Sequence, residues 1–233
     1  MPSKDVSVVL VHGAWADGSS WSKVIKALAA EGIKTIAAPL PLTTFQDDIT
    51  ALDHALERVD GPVVLAAHAY AGAVIAAVRS KKVKALAYIA ALAPDEGEKV
   101  ADVFYHSPPH PLAPKLAPDS HGLIYLPDEA FAAAFAQNVS AEETAVLRAV
   151  QRPLSALCIT VPVPRPFWRD VPTWYLLAEQ DRMIVEENQR FMSARMLAKV
   201  HSHAVDHAPM VSAPHVVIDL LREVIAVVRA SGA

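Results

Sequence analysis

Short apolar runs alternate along this chain with segments whose apolar residues recur at helical spacing. VSVVLVH (6–12) is rich in β-branched residues, stops at Gly13 and predicts a buried strand. SSWSKVIKALAAEG (19–32) puts Trp21, Val24, Ile25, Leu28 and Ala29 on one helical stripe, with Ser19 or Ser20 to cap its start and Gly32 to end it. KTIAAPL (34–40) predicts a second strand, closed by Pro39 and Pro41, and 45–61 a helix with acidic residues in its first turn. VVLAAH (63–68) and VKALAYIAAL (83–92) read as strands around a helix at 71–80. TWYLLAE (173–179) and AKVHSHAV (198–205) read as strands, with helices at 186–197 and 215–231. Repeated β-then-α order predicts an α/β fold, a mostly parallel sheet with helices on both faces. Strands covered on both sides account for the unbroken apolar runs.

Residues 95–170 interrupt this rhythm. HSPPHPLAPKLAPDSHG is rich in proline; PDEAFAAAFAQ and SAEETAVLRAVQRP follow, then VPVPRPF. The stretch predicts a small helical cap inserted over the carboxyl ends of the strands, where ligands of such sheets bind. Because the strand pattern resumes at Thr173, residues 1–233 are expected to form one domain.

Composition narrows the function classes. With 21 basic and 25 acidic residues the net charge is −4, and no basic patch argues for nucleic acid or an anionic membrane as partner. Cys158 is the single cysteine, so no intrachain disulfide is possible. MPSKDVSVVLVHG lacks the apolar length and cleavage site of a signal peptide, and no run approaches the roughly 20 apolar residues of a membrane helix. The expectation is a soluble cytoplasmic protein. Its oligomeric state is left open, a homodimer included.

Four segments could carry chemistry. The first is the strand-to-helix corner Ala67-His68-Ala69-Tyr70-Ala71. In the G-x-S-x-G elbow a nucleophilic serine sits on a strained turn flanked by small residues. Here all three defining positions are alanine; a plain βα turn would look the same. The second is VLVHGAWADGSSW (9–21), a tight loop after the first strand. Its backbone N–H groups, together with that of Tyr70, could hold a developing oxyanion, although a simple connection or phosphate turn fits too. No G-x-G-x-x-G supports a dinucleotide. In the third, WYLLAEQDRMI (174–184), Asp181 follows a strand, with Glu179 as rival. In the fourth, AVDHAPMVSAP (204–214), His207 precedes the last helix. Corner, then acid, then histidine is the chain order of the Ser…Asp…His triad.

Those four segments, in that order, resemble the α/β-hydrolase superfamily, in its esterase and hydroxynitrile-lyase-like branch. The resemblance spans nearly the whole chain. It implies a serine-type carboxylic ester hydrolase acting on a small ester without cofactor or metal. Ala69 then fills the nucleophile position, Asp181 is the acid and His207 the base, and the N–H groups of Ala14 and Tyr70 form the oxyanion hole. The departure is Ala69, which removes the reacting oxygen. Three functions follow: an esterase inactivated by a Ser-to-Ala change at position 69; a lyase or cofactor-free dioxygenase using the His207–Asp181 pair alone as general base; or a non-catalytic ligand-binding protein on the same fold.

Trp15, Tyr105, Tyr125, Phe167 and Trp168 are candidates for the pocket wall. His12 and His68 read as scaffold. Asp206 adjoins His207, but neighbouring residues point apart, which favours Asp181 as partner. His201 and His203 share a strand face without a third metal ligand, and His106, His110 and His121 lack metal-ligand spacing.

Overall fold

The computed structural model describes residues 5–232; the first four residues of the N-terminal segment and Ala233 lie outside it. From the N-terminus the elements run β1 (Ser7–Val11), α1 (Ser22–Ala30), β2 (Thr35–Ala38), α2 (Phe45–Glu57), β3 (Val63–His68), α3 (Ala71–Ala77) and β4 (Val83–Ile89). The segment that follows contains α4 (Val100–Phe104), β5 (Leu123–Ile124), α5 (Asp128–Ala130), a π-helical turn (Phe131–Phe135), α6 (Ala141–Ala149) and β6 (Leu154–Ser155). The alternation then resumes with β7 (Thr173–Ala178), α7 (Glu186–Arg195), β8 (Lys199–His203), α8 (Pro209–Ser212) and α9 (Pro214–Ala230).

Six strands form one parallel sheet in the order β2-β1-β3-β4-β7-β8. β1, β3 and β7 are buried along their whole length, because helices cover both faces. α1 packs with α9 and α2 with α3, each pair closing one layer. α9 shows why such segments fold as helices: Val217, Leu220, Leu221, Val224 and Val228 recur at three- and four-residue spacing and are all buried. Thr44 caps α2, accepting the Asp47 N–H at 3.0 Å.

The strand order reverses between β1 and β3, since β1 is followed on one side by β2 and on the other by β3. This opens a crevice at their carboxyl ends. Gly13 and Ala14 leave β1 there, and Ala69 leaves β3. β5 and β6 pair as a small antiparallel two-stranded sheet outside the main one.

Candidate functional site

The β3–α3 corner is strained. Ala69 has φ +49°, in the left-handed region that costs an L-residue about 1–2 kcal/mol. Its carbonyl accepts from Leu92 N–H at 2.9 Å and Gly72 N–H at 3.1 Å, which holds the turn in place. Small neighbours make the geometry possible. A Cβ on Gly13 would lie 3.0 Å from the Ala69 Cβ and 3.0 Å from the His68 carbonyl. Gly13 therefore lets the loop after β1 pass directly beside the corner.

That loop is held from the inserted segment. Trp15 has φ +58°; its N–H donates to the Arg152 carbonyl at 3.1 Å and its indole N–H to the Ile124 carbonyl at 2.9 Å. Among the described residues, neither the Ala14 N–H nor the Tyr70 N–H meets a protein acceptor. Two backbone donors, one on each loop, are thus left for another partner.

His207 and Asp181 meet beneath the crevice, both buried. His207 Nδ1–H donates to Asp181 Oδ2 at 2.8 Å, a tautomer whose free lone pair is on Nε2, and His207 lines the cavity at the crevice. Asp181 is itself oriented by Met183 N–H at 2.7 Å, Ile184 N–H at 2.8 Å and the Gln189 side-chain amide at 3.0 Å. The rivals are elsewhere. Glu179 accepts from Ser202 at 2.7 Å on the surface, and Asp206 is engaged by Ser212 and the Asn138 N–H.

The histidines read as scaffold have definite tasks. His12 Nε2 accepts the Leu40 N–H at 3.0 Å, and its Nδ1–H donates to the Gly13 carbonyl at 2.9 Å. Burial lowers its pKa to about 4, so it is neutral. His68 Nε2–H donates to the His207 carbonyl at 2.7 Å, with the two rings 4.6 Å apart, and burial drives its pKa well down. Phe135 closes over His207 at 5.1 Å between centroids. The role of Phe135 has no local signature; only the packing of the inserted segment brings it there. No group of three His, Cys, Asp or Glu side chains among the described residues could hold a metal ion.

Ala14, Trp15, Ala69, Tyr70 and His207 line one cavity of about 250 Å3. α4 and the segments around β5 and β6 supply most of the remaining wall, with Phe104, Ile124, Leu154 and Ile159 prominent. The lining carries no Lys, Arg, Asp or Glu. Tyr105 belongs to this wall at a position 54% exposed to solvent. Three of the expected wall residues do not belong. Tyr125 follows Ile124 at the end of β5 and so points the other way, 51% exposed. Trp168 is buried, but the turn at Phe167–Arg169 packs against α3 rather than over the crevice, and Phe167 lies under Arg79. Aromatic identity alone could not tell these from Trp15.

A parallel sheet with a strained β3–α3 corner, a His–Asp pair after later strands and free N–H groups at the switch point defines the α/β-hydrolase class of fold. The family model described as the alpha/beta hydrolase family matches residues 8–220, and the chain belongs to that family. No curated protein sequence matches it. Among solved structures, polyneuridine aldehyde esterase is similar with a TM-score of 0.82 at 21% identity, over 95% of this chain and 99% of that one. A pyrethroid hydrolase from Sphingobium faniae JZ-2 gives 0.78 at 20% identity, over 95% and 98%. The methylesterase MES16 from Arabidopsis gives 0.78 at 17% identity, over 95% and 99%.

Proposed function

We propose that this is an esterase-type hydrolase site for a small, neutral, largely apolar ester, carried by a chain whose nucleophile position holds Ala69. The observation that carries the reading is the convergence on one apolar cavity of His207, backed by Asp181, and the unbonded N–H groups of Ala14 and Tyr70. The cavity is smaller than the roughly 300–1,000 Å3 of typical ligand sites, which favours a compact substrate. No charged side chain lines it, which favours a neutral one. The esterase and hydrolase names of structurally similar proteins support the same class.

The geometry supports the following roles. A substrate carbonyl bound at the switch point directs its oxygen to the Ala14 and Tyr70 N–H groups, which stabilise charge as it develops there. A hydroxyl at position 69 would give its proton to His207 Nε2 and attack the carbonyl carbon, while Asp181 steadies the imidazolium. Alanine has no such oxygen, so this chain binds the ester without forming an acyl-enzyme. Residual hydrolysis is limited to what oxyanion stabilisation and binding provide.

A specific observation favours a second reading. The corner departs from the elbow pattern at Ala67, Ala69 and Ala71, whereas a single inactivating change accounts for Ala69 alone. In that reading His207 removes a proton from the bound substrate, as in the lyases and cofactor-free dioxygenases of this fold.

The test is Ala69→Ser with short aryl esters such as 4-nitrophenyl acetate. The esterase reading expects hydrolysis to rise at least about a thousandfold in the serine form, with a burst of acyl-enzyme. Equal rates in both forms refute it. Proton exchange at the α-carbon of a bound ketone, equal in both forms and lost in His207→Ala, would establish the second reading.

A further inference from the structure

A buried cluster behind the corner has no part in the chemistry above. Asp48, in the first turns of α2, is fully buried. Its Oδ1 accepts the Leu42 N–H at 2.7 Å; its Oδ2 accepts the Tyr70 hydroxyl at 2.6 Å and lies 3.6 Å from the Cys158 sulfur. Among the described residues it forms no ion pair. A carboxylate kept in the core without a cation depends on its hydrogen-bond donors. Those donors come from three separate segments: the turn before α2, the corner, and the stretch after β6.

Two of them bear on the site. Tyr70 directly follows Ala69 and lines the cavity; its hydroxyl is tied to Asp48 and its N–H is free. Leu42 has φ +60° and is held from both sides, by Asp48 at its N–H and by the Ser155 N–H of β6 at its carbonyl, at 3.0 Å. The same carboxylate thus fastens the corner on one side and the base of the inserted segment on the other.

We propose that Asp48 is a positioning residue for the oxyanion site. By fixing the Tyr70 phenol it fixes the orientation of the peptide that opens α3, and so the aim of the Tyr70 N–H. The inference rests on the oxyanion reading of that N–H given above. Tyr70 is clamped at its backbone by the helix start and at its far end by a charge-assisted hydrogen bond, so the peptide cannot swing without breaking one of them. A preorganised donor stabilises a developing charge only while it points at it.

The test is 15N–1H NMR of the full chain titrated with methyl phenylacetate, a neutral ester whose carbonyl oxygen takes the place of the oxyanion. In the unaltered chain the Ala14 and Tyr70 amides move downfield on binding. In Asp48→Asn and in Tyr70→Phe, which keeps the ring, the Ala14 response persists and the Tyr70 response falls several-fold. In the Ala69→Ser background the same two changes lower kcat about ten- to a hundredfold with KM nearly constant, the cost of a misdirected donor rather than a deleted one. A Tyr70 response of equal size in all three proteins overturns the inference and leaves the oxyanion reading standing. Collapse of both amide responses in the variants overturns it too, since that marks general loss of the site. Absence of any response in the unaltered chain overturns the oxyanion reading and the inference together.

Discussion

Acidification should weaken the fold well above the ordinary carboxylate range, and His12 sets much of the size of the effect. Its Nε2 lone pair accepts the Leu40 N–H, so a proton there would break that bond and place a charge in the core. Burial lowers its pKa from 6.5 to about 4. The folded value lies below the unfolded one. Between pH 6.5 and 4 the unfolded chain therefore binds a proton that the folded chain refuses, and stability present above pH 6.5 is lost as pH falls. The whole interval converts at about 1.36 kcal/mol per pH unit to about 3 kcal/mol, and about 2 kcal/mol of it is gone by pH 5. Against a typical total of about 5–15 kcal/mol this is easily measured. His68, whose pKa burial also lowers, adds in the same direction. Asp48, raised by burial, works in the opposite sense at lower pH. Urea unfolding followed by tryptophan fluorescence at pH 7, 6 and 5 is the assay. A slope of about 2 kcal/mol per molar urea turns the His12 contribution into a midpoint loss of about 1 M between pH 7 and 5. His12→Gln keeps an acceptor for Leu40 N–H and cannot titrate, so its midpoint should fall less by that amount. A flat profile in the unaltered chain, or an equal fall in both proteins, refutes the reasoning.

Other outcomes follow from single contacts. Gly72→Ala would push a methyl onto the Leu92 carbonyl and to 3.0 Å from the Ala91 Cβ, so thermal unfolding should show a loss of about 2–3 kcal/mol. Asp181→Ala strands the buried donors of His207, Met183 and Ile184 and should cost about 3–5 kcal/mol in urea unfolding. The Cys158 thiol is fully buried, and burial beside Asp48 pushes its pKa up to about 12. Iodoacetamide at pH 8 should therefore label it only when urea unfolds the chain, as mass spectrometry would read.

The sheet was legible because its strands are buried on both faces. VVLAAH coincides with β3 residue for residue. VKALAYIAAL reads longer than β4, because Ala90 turns to φ +44° and ends the pairing, which no apolar pattern reveals. Likewise α3 stops at Ala77 where the pattern runs to Ser80, since Val78 is extended. The Asp181–His207 contact was foreshadowed by chain order; its 2.8 Å geometry depends on α7 supplying Gln189, which has no motif. Asp48 did leave a trace. It occupies the Phe45–Leu52–Leu56 stripe of α2, an acid on an apolar face, yet an acid in a first turn is equally explained by the helix dipole. The inserted segment was the least readable part. Its prolines signal irregular chain without saying which aromatic side chains turn inward, and the β5–β6 pairing is set by a long-range contact.

The two hydrogen bonds that Trp15 makes to Arg152 and Ile124 join the loop after β1 to chain more than a hundred residues away. The roof of the cavity and one of its two free backbone donors are therefore a single mechanical part. Lifting the roof to admit a ligand either drags Ala14 out of line or breaks both bonds. Under the proposed oxyanion role of the Ala14 N–H, entry and alignment are coupled, so loosening the inserted segment to widen access would also loosen that donor.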